Sequence, residues 1–285
     1  MKLGFVTCVQ LGLSCMQAIY DAGGELVFAM TLPDDKAVNK SGRIYIDDFC
    51  RANNINLLKS SHVNNPEVLQ AIQLSGIDWL FIVGWSQIAS IGVLSAPKMG
   101  VLGMHPTLLP VGRGRAAIPW AILNGLEKTG VSMFKMDTGV DTGPVAAQIE
   151  IPLSPITTAT DLYSKVDAAH VALIHKTIPL LLSNKLNLVK QDESKATLWS
   201  GRKPEDGEIQ LNGSVFDAEK LIRAVTRPYP GAFYFEEKTK RIVWSAKYIH
   251  VDNFEKLSDV VFLKFDDGVL LLEDYEDIYL VNDCF

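Results

Sequence analysis

The first 85 residues alternate short apolar runs with stretches of helical period, and this alternation constrains the fold more than any other feature of the 285-residue chain. Residues 3–7 form an apolar run, and Leu11, Cys15, Ala18 and Ala22 then recur at helical spacing, which predicts a helix over 11–22 ended by Gly23-Gly24. A second run covers 25–31, a Pro-Asp-Asp loop follows, and the pattern predicts a helix over 41–53, a strand over 55–58, a helix from Pro66 and a strand over 78–83. Strands alternating with helices at these lengths require crossover connections. The expected fold class is therefore α/β, a Rossmann-like, mostly parallel sheet with flanking helices. Such sheets bind ligands at the carboxyl ends of their strands. The first turn, Cys8-Val9-Gln10-Leu11-Gly12, lacks a dinucleotide fingerprint and reads as a plain βα loop.

Further on, 131–137 and 145–153 read as strands flanking a glycine-rich loop, and 161–182 as a long amphipathic helix. The texture then changes. Apart from one helix over 217–227, the end of the chain reads as short strands over 231–236, 241–250, 260–265 and 269–272, with Asp266-Asp267-Gly268 as a hairpin turn. This predicts a catalytic domain over 1–190 and a small OB-like β-barrel over 200–285.

The charge follows the same division. Residues 201–285 hold 11 basic and 17 acidic side chains, whereas the first 200 hold 16 of each, so the whole net charge of −6 belongs to the C-terminal part. A nucleic-acid partner would want a basic stripe, and none is present. No stretch reads as a signal peptide or reaches the roughly 18–20 apolar residues of a membrane span, which points to a cytoplasmic protein with no membrane partner. Cys8, Cys15, Cys50 and Cys284 have neither CxxC pairing nor zinc-ligand spacing and read as incidental thiols. No metal is expected.

Two segments concentrate unusual chemistry. In the first, 103–120, His105 lies between Met104 and Pro106, with Pro110 and then Arg113-Gly114-Arg115 beyond it. The prolines fix φ and hold the loop extended, which gives the imidazole a defined position for acid–base work near neutral pH. The second, Asp137-Thr138-Gly139-Val140-Asp141-Thr142-Gly143, is a tight loop with two carboxylates whose glycines let backbone approach a planar ligand. Asp141 is placed to orient His105 and favour its protonated form. On these residues alone the reading is an enzyme with a His/Asp site, and a structural histidine in a common turn stays open.

The order His-Pro-Thr-Leu-Leu-Pro, Arg-Gly, Thr129-Gly130-Val131-Ser132 and Gly139-Val140-Asp141-Thr142-Gly143 resembles the folate-dependent formyltransferases. The likeness extends over nearly the whole chain, since 223–233 resembles the entry to that family's C-terminal barrel. Arg113-Gly114-Arg115-Ala116 with Trp120 is most similar to the nucleotide-sugar branch, which includes enzymes that formylate UDP-linked 4-amino-arabinose. The resemblance implies His105 as the catalytic histidine and Asp141 as its supporting acid. It implies Gln87, Ile88 and Ala89, with Asp137, Thr138, Gly139, Val140 and Asp141, as loops that hold the pterin of 10-formyltetrahydrofolate. Arg113 and Arg115 would meet the phosphates of a nucleotide-linked amino sugar. The implied partners are those two small molecules, with room for a homodimer.

One departure stands out. The family's site is usually Asn-x-His, with the amide on the formyl oxygen, whereas this chain has Gly103-Met104-His105. Losing one oxyanion donor costs roughly 10²–10³ in kcat. A backbone N–H or water admitted by Gly103, or protonated His105 itself, would replace it, and otherwise the chain is a weakened folate-binding relative. The retained His105, Asp141 and Arg115 favour a working enzyme. A methionyl-tRNA formyltransferase is the other reading, and the acidic C-terminal part argues against it. His170 and His175 read as surface or packing residues, His62 and His250 as incidental. Trp79, Trp85, Trp120 and Trp244 read as core rather than stacking platforms, with Trp85 placed to border the folate pocket.

Overall fold

The computed structural model describes residues 1–36, 43–249 and 260–279. The chain divides into two compact units that interleave in sequence: residues 1–114, 129–151 and 166–198 form the first, and 115–128, 152–165 and 199–285 the second.

The first unit is built on a seven-stranded sheet in the order β3-β2-β1-β4-β5-β7-β8. Its strands are β1 (Leu3–Val6), β2 (Leu26–Thr31), β3 (Asn56–Lys59), β4 (Trp79–Ile82), β5 (Gly100–His105), β7 (Lys128–Lys135) and β8 (Val145–Pro152), with a two-residue β6 at Arg113–Gly114. Strands β1 to β5 pair in parallel, and β7 runs antiparallel to β5. The helices between them are α1 (Gln10–Asp21), α2 (Asp47–Ala52), α3 (Pro66–Ser75) and α4 (Ile91–Ser95). All four residues of β1 and of β4 are buried, as a parallel strand covered on both faces requires. Phe5, Phe28 and Phe81 are fully buried, each stabilising the core by about 1.5–3 kcal/mol.

The predicted alternation is observed with one correction. Of the helix expected over 41–53, residues 41 and 42 lie outside the described residues, and only Asp47–Ala52 is helical. Arg43 instead bridges Val9, and the Ile44 N–H donates to the Cys8 carbonyl at 3.2 Å. Backbone pairing with the first loop holds this stretch extended and overrides its helical pattern.

The long helix α6 (Ala159–Leu182) buries Leu162, Val166, Ala169, Leu173, Ile174, Ile178 and Leu181 along one stripe. Cys15 and Cys50 are buried, and burial pushes both thiols up to about 12, so neither is a nucleophile at neutral pH. Cys284 and His250 lie outside the described residues.

The second unit contains α5 (Ala117–Leu123), α7 (Val215–Val225) and an antiparallel sheet, β10-β11-β13-β12. Its strands are β10 (Ala232–Glu236), β11 (Thr239–Ile249), β12 (Phe262–Phe265) and β13 (Gly268–Tyr279), the short β9 at Leu198–Trp199 preceding them. The Ser214 hydroxyl caps α7 by accepting from the Phe216 N–H. A register shift between Val243 and Ser245 puts a bulge at Trp244, the device by which small barrel-like sheets bend. Among the described residues no helix is long and apolar enough to cross a membrane.

Candidate active site

The site lies where β5 ends, in the first unit. Strand β5 delivers His105 at its last residue, directly beside Ser132 of β7 in the register. The loop that follows is pinned from beneath. Ser132 Oγ donates to the Thr107 carbonyl and accepts the Leu109 N–H, while Gln148 Nε2 donates to Leu109 O and Ser132 Oγ. Closing back over the ring, Gly112 places its carbonyl 2.7 Å from His105 Nε2. A carbonyl only accepts, so Nε2 carries a proton.

The other ring nitrogen, Nδ1, faces Asp141 Oδ2 at 3.6 Å. That is charge-pair distance rather than a hydrogen bond, so the attraction acts on the protonated ring. Asp141 has φ of 53°, a left-handed conformation uncommon for a side-chain-bearing residue. Its Oδ2 also accepts the Gly114 N–H at 2.9 Å. The loop around it is tight. A Cβ on Gly143 would lie 1.8 Å from the Lys135 carbonyl oxygen, so that position demands glycine, and one on Gly139 would lie 2.0 Å from Thr142 Oγ1 and displace that side chain. Asp137 Oδ1 accepts the Gly139 N–H and the Thr142 hydroxyl, which closes the turn and leaves Thr138, Gly139 and Val140 exposed.

The remaining sequence candidates fall in different places. Gly103 is buried in β5, where an added Cβ would sit 3.0 Å from Met136 Cγ and 3.1 Å from its Sδ, so Met136 occupies the space an asparagine side chain would need. Gln87 is half-buried and tied to its own loop: Oε1 accepts the Val63 backbone N–H and the Trp85 indole N–H, and Nε2 donates to Ser61 O. Ile88 is exposed and Ala89 buried, with Asn64 gripping Ile88 O and Ser90 N. Arg115 is exposed and belongs to the second unit. Arg113 is buried, and its guanidinium is spent internally on Gln191 and Glu193, which removes it as a free phosphate clamp.

Sequence reasoning missed the stretch 189–197. Val189 pairs with Val145 through both backbone groups at 2.8 Å, which sets Gln191 beside the Asp141 loop. Gln191 Nε2 donates to the carbonyls of Asp141 and Gly143 at 2.8 and 2.7 Å. Farther along, Thr197 Oγ1 accepts the Gly112 N–H at 2.8 Å. No local pattern marks these residues, because their partners are 48 to 85 positions away.

His170 on α6 is a packing residue: it is buried, and its Nδ1 donates to Val166 O. Burial pushes its pKa down to about 4, against the hydrogen bond to Val166 O, which pulls the other way. His175 is exposed. Among the described residues no three His, Cys, Asp or Glu side chains converge as a metal site would require.

A histidine and a carboxylate fixed at the carboxyl end of a parallel-rich sheet, beside a glycine-built loop, define a site for acid–base group transfer. The chain belongs to the formyl transferase family: the family's N-terminal domain profile, "Formyl transferase", matches residues 12–178, and "Formyl transferase, C-terminal domain" matches 202–273. It is 30% identical over 237 residues to the bifunctional polymyxin resistance protein ArnA of Wigglesworthia glossinidia brevipalpis, covering 83% of this chain and 36% of that protein. It thus spans about a third of the length of that relative. The N-formyltransferase from Helicobacter canadensis, solved with folinic acid and dTDP-3-aminofucose, shares the fold at a TM-score of 0.70 and 19% identity, over 97% of this chain and all of that one. A 4-N formyltransferase from Francisella tularensis does so at 0.66 and 20%, over 83% of this chain and 93% of that one.

Proposed function

We propose that this protein transfers a formyl group from 10-formyltetrahydrofolate to the amine of a nucleotide-linked amino-deoxysugar, a UDP-linked 4-amino sugar, in the supply of glycan or surface-polysaccharide precursors. The observation that carries this reading is the His105–Asp141 pair, 3.6 Å apart at the end of β5, within a chain of the formyl transferase family. Structures that share the fold support the acceptor, since they include an N-formyltransferase solved with dTDP-3-aminofucose and a sugar 3N-formyl transferase.

The donor supplies an activated formyl group. The residues suited to hold its flat pterin are 87–89 and 137–141, where Ile88 and Val140 are large apolar side chains left exposed beside backbone edges. His105 takes the proton that the acceptor amine sheds as its nitrogen bonds to the formyl carbon, and Asp141 stabilises the resulting imidazolium. The same proton returns to the folate nitrogen as its bond to carbon breaks, so the base is regenerated. Arg115, exposed and unspent on buried partners, is the arginine suited to meet nucleotide phosphates. With Met136 filling the space at Gly103, the formyl oxygen has no side-chain amide at that position.

The test is incubation with 10-formyltetrahydrofolate and UDP-, dTDP- and GDP-linked amino sugars, with mass spectrometry for one added formyl group. Formylation of a UDP-linked 4-amino sugar is expected. Formylation of charged initiator tRNA with every sugar inert would overturn the reading, as would folate binding without amine-dependent turnover.

A further inference from the structure

The stretch 189–197 is threaded between the two loops of the site, and it touches each with a side chain that has few other tasks. Gln191 is 6% exposed, and all of its polar capacity toward protein is committed. Its Oε1 accepts from Arg113 Nε and Nη2 at 3.1 and 2.8 Å, and its Nε2 donates to the carbonyls on either side of Thr142. Arg113 is held in turn by both oxygens of Glu193 at 2.9 and 2.8 Å, and Glu193 is held below the usual carboxylate range by that contact. The next residue, Gly114, donates its N–H to Asp141 Oδ2. A closed circuit therefore runs from Arg113 through Gln191 to the Asp141 backbone, and from the Asp141 carboxylate back to Gly114. At the other end of the stretch, Thr197 holds the N–H of Gly112, whose carbonyl holds His105.

We infer that Gln191 and Thr197 are positioning residues that set the His105–Asp141 separation, Gln191 by clamping the backbone of Asp141 and Thr197 by anchoring Gly112. Two physical arguments support it. Asp141 sits at positive φ, a left-handed conformation that side-chain-bearing residues seldom adopt, and it persists where surrounding bonds over-determine it. The bonds from Gln191 on the carbonyl side and Gly114 on the carboxylate side do that. A buried polar network is also costly unless every member is satisfied, so a buried amide with four bonds placed on the catalytic loop couples loop geometry to the packing of 189–197. Arg113 thereby acts on the site through Gln191 and not on substrate.

This inference rests on the formyl-transfer reading for its kinetic test, and a structural readout separates the two. Gln191→Glu keeps an acceptor for Arg113 but turns an anionic oxygen toward two carbonyls, so it breaks the clamp and spares the arginine. Thr197→Val removes only the acceptor for Gly112. The expected results are a kcat loss on the order of tenfold to a hundredfold for Q191E, as ångström-scale misplacement produces, with acceptor KM within about twofold by the same reasoning. A smaller loss is expected for T197V, and the pH profile of kcat should be displaced in both. A crystal structure of Q191E should show Asp141 moved away from His105. Unchanged kcat and pH profiles in both variants, or an unmoved Asp141 in Q191E, would overturn the inference. A wild-type protein inert toward every acceptor would overturn the formyl-transfer reading instead, leaving the Asp141 displacement to decide this one. Should Q191E fail to fold, T197V decides, with unchanged kcat counting against the proposal.

Discussion

Arg113 in the first unit and Arg241 in the second each grip a carboxylate with two prongs, yet they do different work. Arg241 lies on β11, opposite Tyr234 on β10 and Asp277 on β13 in the sheet register, and it bonds both of those neighbours. Its partners are the residues that strand pairing puts beside it. Arg113 bonds Gln191 and Glu193, 78 and 80 positions away, and through Gln191 reaches the loop that carries Asp141. The first arrangement stabilises a sheet, as any favourable cross-strand pair does. The second ties the loop that carries Asp141 to a distant segment.

The largest effect should come from the reactive pair itself. His105→Ala is expected to lower kcat by roughly 10²–10⁴, and Asp141→Asn, which keeps an oxygen for the Gly114 N–H but loses the charge, by about 10². Steady-state turnover of the formyl donor with the true acceptor measures both, and full activity in either would remove the site from the comparison.

Next is Arg113→Ala. It strands Gln191 Oε1 in a buried setting, and because Glu193 is 60% exposed the cost should sit at the lower end for a broken buried pair, about 3 kcal/mol, together with a fall in kcat. Urea denaturation and kinetics on the same variant check it. A destabilised protein with wild-type kcat would make Arg113 an ordinary structural residue like Arg241.

A pH effect of similar size is expected from His170. Its folded pKa is about 4 against the ordinary imidazole value of 6.5, so between those values the unfolded chain binds the extra proton. The stability contributed by the neutral buried ring is complete above about pH 6.5 and is lost as the pH falls through about 4, a total of about 3 kcal/mol. In His170→Leu the difference in unfolding free energy between pH 7 and pH 4 should shrink by that amount, and an unchanged difference would show that the ring is not buried neutral.

The smallest effect is assigned to Arg241→Ala. Its side chain is 15% exposed and Asp277 26%, so solvent screens the pair in part and about 1–2 kcal/mol is expected to be lost. Formyl transfer should keep its wild-type kcat. A kcat loss comparable with that of Arg113→Ala would erase the contrast between the two arginines.

Much of the fold was legible because its signals are local. The strand runs ending at Thr31 and Val83, the Pro66 helix start and the long helix ending at Leu182 all rest on apolar period and punctuation, and each lies within a residue or two of its expected bounds. Helical pattern fails at Arg43 and Ile44 because backbone pairing with Val9 and Cys8 outweighs it there. His105 and Asp141 were picked out by the motif order shared with the formyltransferases, since prolines and glycines fix each loop locally but not which loops come together. Helical period left His170 between surface and packing, because it does not rank a histidine against the apolar residues of the same face, and its burial decides for packing.

The resemblance to the formyltransferases pointed to His105 and Asp141, while the α/β alternation and the acidic C-terminal part were legible directly along the chain. Those properties follow from side-chain chemistry and from backbone restrictions within a few residues. Only the tertiary structure decided that Arg113 is spent internally, that Met136 fills the space at Gly103, and that 189–197 staples the His105 loop to the Asp141 loop. These contacts join residues many turns of chain apart, and a buried hydrogen bond leaves no mark on the local composition that would reveal its partner.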